Sequence, residues 1–267
     1  MEDSIDALEN LEKAGFNRVN VDMMYMLPSQ TARDWVEDLR IASEFELAQI
    51  TAYPLLIVPY RPMYRMMKEG KVQEQPSMKE FKRMYYEALN ALDEWGYAPI
   101  RYYSFSKIPW EYSTVEKEMT GPLLAFGPGA MGFPGRCEYI NTCSIREYVK
   151  SVFRGKLPVA GIRKVKNEER GIRWISERLS ALKLKFGEFK KEFGEDFWDF
   201  VRRTGFSRPL TLQRLMGHLK VYSDRIELTK KGLFSRNLGG WAFVLSVPCR
   251  IVEEYMKTPW PREVTVP

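Results

Sequence analysis

Segment 19–31 constrains the fold of this 267-residue chain more than any other part of the sequence. Apolar and polar side chains alternate over residues 19–25 with the period of two that is typical of a β-strand, which puts Asp22 on the face opposite the valines. A Leu-Pro pair then ends the strand. Thr31 and Asp34 have the spacing of a capping box, so we predict that a helix begins there.

The segments that follow complete a strand, helix and strand unit. Apolar residues recur at helical spacing over residues 35–45, and residues 49–56 form an apolar, β-favouring run. Another helix is predicted after Ser77, and further strands at residues 100–105 and 122–126. Strands that alternate with helices form parallel sheets, whose ligands bind at the carboxyl ends of the strands. Four strands are too few for a closed barrel, so we expect the chain to begin in the middle of a domain.

The sequence pattern changes near residue 165. Three apolar stripes at helical spacing follow, and then a hairpin signal at Ser223 and Asp224. We therefore predict two domains. Residues 1–150 carry the α/β pattern, and residues 151–267 form a helical, winged-helix-like domain.

Charge is distributed unevenly between these two parts. Residues 151–267 contain 24 lysines and arginines against 13 aspartates and glutamates, a balance of +11. Residues 1–150 contain the remaining 17 basic and 22 acidic residues, a balance of −5. A basic part of this kind can bind nucleic acid, lipid or a polycarboxylate. The alternative is an ordinary solvated surface of helices.

Composition excludes several classes of protein. An apolar content of 45% argues against disorder, and no apolar run reaches the roughly 20 residues of a membrane span. Because the start of the chain is acidic and unlike a signal peptide, we expect a cytoplasmic protein without a membrane partner. Cys137, Cys143 and Cys249 match neither a disulfide framework nor a familiar metal spacing, so no metal site is predicted. His218 lies in an apolar stretch and is predicted to be structural.

Residues 22–31 read Asp-x-x-Tyr-x-Leu-Pro-x-Gln-Thr and resemble the signature DLIYGLPGQT. This signature is typical of the oxygen-independent coproporphyrinogen III oxidase and heme chaperone (HemN/HemW-like) branch of the radical SAM enzymes, and Met26 stands at its first glycine. Residues 127–132 are similar to the family segment LGLGPGAHS, with Met131 and Gly132 in place of the histidine and serine. Residues 96–106 are more loosely similar to GY…YEISNFAR.

The resemblance implies a fold, a cofactor and a substrate class. The fold would be α/β, a partial, half TIM-like radical SAM barrel followed by the winged-helix-like domain. S-adenosylmethionine would be held by Asp22 at its ribose and by Tyr53 and Pro54 beside it. The glycine turn would contact its adenine through the residues Gly127, Gly129, Ala130 and Met131. The substrate or cargo would be a tetrapyrrole, such as a porphyrin or heme.

One departure from the family concerns its iron–sulfur cluster. Radical SAM enzymes bind a [4Fe–4S] cluster through three cysteines at C-x3-C-x2-C spacing, and this sequence has no such triplet. We therefore expect the cluster only if a missing N-terminal half supplies it, either fused to this chain or as a separate half-protein. Whether the chain is an enzyme is left open at this point.

The sequence is compatible with three functions of the chain and with two roles of Asp22. The chain can be a radical SAM protein that acts on a tetrapyrrole, a non-catalytic heme carrier, or a nucleic-acid-binding module that uses its basic part. Nucleic acid ranks last, because the hairpin has no base-reading pattern. Asp22 itself can bind a ligand diol or pair with a lysine or arginine outside any site.

Overall fold

The computed structural model describes residues 2–57, 61–107, 121–246 and 257. The described residues up to 107 form one compact unit together with residues 228–245, and residues 121–227 form the body of a second unit. The predicted division into domains 1–150 and 151–267 stays a prediction.

Helices and strands alternate along most of the described chain. The helices are α1 (Glu2–Lys13), α2 (Ala32–Ser43), α3 (Pro62–Lys68), α4 (Met78–Glu94), α5 (Ile145–Phe153), α6 (Asn167–Ser180), α7 (Phe186–Phe193), α8 (Phe197–Arg203), α9 (Ser207–Leu215) and α10 (Lys230–Ser246). The strands are β1 (Val19–Tyr25), β2 (Leu47–Pro54), β3 (Ala98–Pro99), β4 (Ser104–Ser106), β5 (Met131–Gly132), β6 (Cys137–Asn141), β7 (Val159–Lys164), β8 (Lys183–Lys185), β9 (Leu219–Val221) and β10 (Arg225–Leu228).

A four-stranded sheet of order β1-β2-β4-β3 is the centre of the first unit. Strands β1 and β2 are parallel, with Asp22 opposite Thr51 and Tyr25 opposite Pro54, and α2 connects them. The predicted strand, helix and strand unit is therefore confirmed. Strand β4 runs antiparallel to both β2 and β3.

The sheet has one apolar face and one polar face, because side chains alternate along each strand. The apolar face packs against α2 and α4, and its core residues include Tyr25, Trp35, Leu39, Ile50, Met84, Leu92 and Phe105. The rings of Tyr25 and Trp35 stack with centroids 5.0 Å apart. Burying aromatic side chains of this size provides most of the stabilisation of a small core.

Helix α10 adds to the same core from the far end of the sequence. The ring of Phe234 lies 5.6 Å from that of Phe81 and 5.5 Å from that of Tyr85, measured between centroids. Asn237 is fully buried and donates from Nδ2 to the hydroxyl oxygen of Tyr25 at 2.9 Å. This helix therefore packs on the first unit.

Helices α2 and α4 of the first unit begin at the residues that the sequence predicts. Thr31 caps α2, and its hydroxyl accepts from the Asp34 amide at 3.2 Å while the Asp34 carboxylate accepts from the Thr31 amide at 2.9 Å. Ser77 caps α4 by accepting from the Glu80 amide. The predicted capping box is confirmed.

The second unit contains two three-stranded antiparallel sheets, of order β5-β6-β7 and β8-β10-β9. The hairpin predicted around Ser223 and Asp224 is confirmed as β9 and β10, and β8 extends its sheet. Helices α6 to α8 share a cluster of aromatic side chains in which Phe189 and Phe197 are fully buried. The winged-helix comparison stays a prediction.

The strand predicted at residues 100–105 is confirmed only at its end, and the strand predicted at residues 122–126 and the wholly parallel sheet are wrong. Residues 100–103 bend, and only Ser104–Ser106 pair, antiparallel to β2. Residues 122–126 form no strand and make one isolated antiparallel bridge, between Leu123 and Phe133. Among the described residues, β1 and β2 are the only parallel pair, and their sheet does not close into a barrel.

In the described ranges, no helix is both long and apolar enough to cross a bilayer.

Candidate functional site

Seven polar side chains share the face of the first sheet that lies opposite its helices. They are Asn20 and Asp22 on β1, Gln49, Thr51 and Tyr53 on β2, and Ser104 and Ser106 on β4. The two serines, Gln49 and Thr51 are buried. Buried polar groups are costly unless they are hydrogen-bonded, so the partners of these side chains decide how the face is ordered.

A chain of hydrogen bonds crosses this polar face and ends at Asp22. Gln49 donates from Nε2 to the Thr51 hydroxyl at 3.0 Å, and that hydroxyl donates to Oδ1 of Asn20 at 2.9 Å. Asn20 in turn donates from Nδ2 to Oδ1 of Asp22 at 2.9 Å. The carboxylate is therefore oriented by its own neighbours on the sheet.

Asp22 itself is exposed, and the described residues occupy one of its two carboxylate oxygens. An ionised carboxylate accepts hydrogen bonds at both oxygens, so the second oxygen can receive a hydroxyl donor. A pair of neighbouring hydroxyls, such as a ribose diol, fits an acceptor of this kind. Among the described residues, no lysine or arginine forms an ion pair with Asp22, and the role of Asp22 in ligand binding stays a prediction.

Tyr53 and Pro54 end β2 beside the same carboxylate. The Tyr53 ring lies 5.1 Å from the ring of Tyr103, between centroids, and Tyr103 accepts from Nη1 of buried Arg101 at 2.9 Å. Burial raises the pKa of Tyr53 to about 12, and the charges of Tyr103 and Asp22 add to that shift. The phenol of Tyr53 therefore stays protonated at neutral pH and can donate a hydrogen bond.

The turn that follows β1 contains two strained residues. Met26 and Ser29 have φ values of 63° and 68°, in the left-handed region that favours glycine. They stand at the two glycines of the signature DLIYGLPGQT. Non-glycine residues in this region store strain and are frequent at functional sites.

Gln75 ties this turn to the end of β2. Its Nε2 donates to the carbonyl oxygens of Met26 at 3.0 Å and of Leu55 at 2.7 Å. The Ser29 hydroxyl also donates to the side chain of Gln73. Residues 73–75 therefore hold the two parallel strand ends together at the edge where α/β sheets bind their ligands.

The glycine turn of the second unit differs from a simple anion-binding loop. Gly127 and Gly129 have φ values of 101° and 72°, so both need the freedom of glycine. However, the amides of Gly127, Gly129 and Ala130 donate to the Tyr148 hydroxyl, the Thr142 carbonyl and the Gly127 carbonyl, respectively. These three amides are engaged within the protein, so the turn would meet a ligand through carbonyl groups or side chains, such as exposed Met131.

The structure brings part of the predicted site together. Asp22 and Tyr53 share one face of one sheet, with Pro54 at its carboxyl edge. The glycine turn lies in the second unit, and its participation in the same site stays a prediction. Sequence reasoning missed the supporting residues Asn20, Gln49, Thr51 and Gln75, although the period of two in both strands puts the first three on the face of Asp22.

Two of the three cysteines and the histidine lie among the described residues. Cys137 and Cys143 are partly buried, and Cys249 lies outside the described residues. Across the described ranges, no three histidine, cysteine or acidic side chains form a metal-binding group. His218 is buried and its Nδ1 lies 2.7 Å from Oε1 of Gln213. The three cysteines lack the C-x3-C-x2-C spacing, so the residues of this sequence do not fit a [4Fe–4S] cluster.

Comparison with known proteins identifies relatives of this chain. No protein-family model matches it. It is 29% identical over 178 residues to anaerobilin synthase of Escherichia coli O157:H7, covering 64% of this chain and 38% of that protein. It is 23% identical over 197 residues to the heme chaperone HemW of Bacillus subtilis, covering 73% and 51%.

The fold is similar to a solved structure as well. Coproporphyrinogen III oxidase (HemN) from Escherichia coli, a radical SAM enzyme, matches with a TM-score of 0.70 and 20% identity. This match covers 90% of this chain and 58% of that one. The chain therefore has the mixed α/β fold of that structure, and its matches span between 38% and 58% of these three proteins.

Proposed function

Because this chain is a relative of the HemN/HemW-like branch of the radical SAM proteins, we propose that it binds S-adenosylmethionine and acts on a tetrapyrrole. The proposal concerns recognition of the cofactor and of the tetrapyrrole class. The reaction of a complete protein also needs the cluster, which supplies the electron for reductive cleavage of S-adenosylmethionine.

The single observation that supports cofactor binding is the position of Asp22. It lies on the polar face of the only described parallel strand pair, and Asn20 occupies one carboxylate oxygen. The second oxygen can accept from a ribose hydroxyl, and a hydrogen bond to a charged acceptor contributes about 1.5–3 kcal/mol. Ribose recognition by a carboxylate beside a strand end is a recurrent solution in nucleotide-binding α/β folds.

The other proposed contacts come from the end of β2 and from the glycine turn. Tyr53 carries a protonated phenol and an aromatic face next to Asp22, and Pro54 ends its strand. Gly127, Gly129, Ala130 and Met131 would contact the adenine through carbonyl groups and the Met131 side chain. The sheet residues would bind and orient the cofactor, and the strand ends would exclude water from it.

A titration of the protein with S-adenosylhomocysteine tests this assignment. We expect the wild type to bind, and the Asp22→Asn variant to bind at least about tenfold more weakly, because the amide lacks the charged acceptor. The matched control is Asp93→Asn on an exposed position of α4, which should bind like the wild type. Equal binding by all three proteins would refute the assignment, and so would no binding by the wild type.

A non-catalytic heme carrier is the second candidate, and the relationship to a protein named heme chaperone HemW favours it. Basic side chains can bind the propionates of a tetrapyrrole through charge-assisted hydrogen bonds. Titration with heme should then give a saturable shift of the Soret band at one heme per chain. Binding without saturation would exclude a specific carrier, and turnover of a porphyrinogen by a cluster-completed protein would favour the enzyme instead.

A further inference from the structure

The hydrogen bonds on the polar face have a fixed direction. The Thr51 hydroxyl has one proton, and it uses this proton to donate a hydrogen bond to Oδ1 of Asn20. Asn20 can therefore present only its Nδ2 group to Asp22. The Gln49 amide donates to the remaining lone pairs of the Thr51 oxygen, which keeps the hydroxyl pointing toward Asn20.

From this geometry we infer that Thr51 is a positioning residue, which acts through Asn20 to orient the Asp22 carboxylate toward a ligand diol. This inference rests on the proposed binding of a ribose at Asp22. Thr51 is 3% exposed, and its hydrogen bonds reach Asp22 only through Asn20, so its proposed effect on a ligand is indirect. It determines which way the Asn20 amide faces, and thereby which carboxylate oxygen is left for the ligand.

The alternative orientation of Asn20 shows why this matters. Without the Thr51 proton, the Asn20 side chain can turn so that its carbonyl oxygen faces the Asp22 carboxylate. Two hydrogen-bond acceptors would then face and repel each other. The carboxylate would rotate away from Asn20, or it would lose the hydrogen bond that orders its Oδ1 atom. Preorganised acceptors bind more tightly because their orientation is already fixed before the ligand arrives.

Neighbouring groups support this direction of the hydrogen bonds from Gln49 through Thr51 and Asn20 to Asp22. Ser104 lies at 3.5 Å from the Thr51 hydroxyl, at the limit of a hydrogen bond, so Gln49 is the stronger donor to it. The Oε1 atom of Gln49 is buried and accepts no hydrogen bond from the described residues. Leaving a buried acceptor without a hydrogen bond is costly. This cost indicates that the hydrogen bond donated by Nε2 determines the orientation of the Gln49 side chain.

The test is a double-mutant cycle read out as ligand affinity. The variants are Thr51→Val, Asn20→Ala and the double variant, each titrated with S-adenosylhomocysteine and with its 2′,3′-dideoxy analogue. We expect Thr51→Val to weaken binding of the ribose ligand about fivefold and to leave the affinity for the dideoxy analogue unchanged. In the Asn20→Ala background, Thr51→Val should have no further effect, because the hydrogen bonds that connect Thr51 with Asp22 are already absent.

Two further variants separate orientation from folding. Thr51→Ser keeps the hydroxyl and should bind to within about twofold of the wild type. Asn90→Ala, at an exposed position of α4, is the matched control for Asn20→Ala. The inference is overturned if Thr51→Val weakens both ligands equally, leaves both unchanged, or adds to Asn20→Ala. If Thr51→Val does not fold, a Thr51→Ser variant that binds as weakly as Asn20→Ala overturns it. A wild type that binds no S-adenosylhomocysteine refutes the proposed function itself.

Discussion

Met26 and Ser29 hold backbone conformations that suit glycine, in a turn where the family signature has glycine at both positions. Met26 is buried, so its side chain contributes packing that offsets part of the strain. Ser29 is exposed and has no such compensation. The strain cannot be predicted from the sequence alone. The resemblance shows that glycines are replaced, but it does not give the φ values of the residues that replace them.

Replacement of Ser29 tests this strain. Ser29→Gly and Ser29→Ala both remove the hydroxyl that donates to Gln73, so they differ only in the freedom of the backbone. We expect the glycine variant to be more stable than the alanine variant by about 1 kcal/mol in urea unfolding, because left-handed angles are costly for alanine. An alanine variant of equal or higher stability would contradict the assigned φ.

Buried tyrosines make the first unit sensitive to alkaline pH. Tyr97 is 1% exposed and donates from its hydroxyl to the Leu47 carbonyl, and burial raises the pKa of Tyr97 to about 12. Burial also raises the pKa of Tyr25 well above its ordinary value, although the Asn237 hydrogen bond opposes that shift. These phenols are neutral in the folded protein at a pH where the unfolded chain has begun to ionise.

The sign of the pH effect follows from these raised pKa values. The stability that Tyr97 contributes is fully present below the ordinary tyrosine pKa of 10.0 and is lost as the pH rises from 10 toward 12. We expect Tyr97→Phe to lose less stability than the wild type over this interval in urea unfolding. Parallel declines for the two proteins would contradict the shift.

At the scale of elements, local signals were reliable where the chain itself makes the contacts. The capping box of Thr31, the alternation in β1 and the apolar stripe of α4 each depend on neighbours within a few residues, and all were predicted from sequence. Segments 100–105 and 122–126 are also predicted to be strands, yet only Ser104 and Phe105 of the first pair in a sheet, and the second makes one bridge. Their pairing depends on distant partners, which periodicity cannot identify.

A pair of helical glycines tests packing between elements. A Cβ atom at Gly171 in α6 would overlap the ring of Phe200 in α8, whereas Gly187 in α7 is exposed and faces open space. Gly171→Ala should therefore destabilise the protein by about 1–3 kcal/mol through overpacking. Gly187→Ala should be neutral or stabilising, by up to about 1 kcal/mol. Equal unfolding midpoints for the two variants would contradict this packing.

For the whole molecule, ion pairs limit how far the basic part is available to a polyanion. Arg163 binds Glu138 and Glu169, and Arg203 binds Glu168 and Glu195. These pairs do not change the net charge of the basic part, but a polyanion would have to compete with the carboxylates for the paired arginines.

We therefore expect weak binding to nucleic acid. Fluorescence anisotropy with labelled single-stranded DNA and RNA at low salt should show no saturation at protein concentrations that saturate with S-adenosylhomocysteine. A saturable interaction whose affinity falls steeply with salt would contradict this expectation, because that slope measures the counterions that phosphate contacts release.

A crystal structure of the protein with S-adenosylhomocysteine tests the central claim most directly. We predict a ribose diol within hydrogen-bonding distance of the Asp22 carboxylate, Tyr53 beside it, and Asn20 still donating to the other carboxylate oxygen. A ligand bound away from the polar face of the first sheet, or a ribose without contact to Asp22, would contradict the claim.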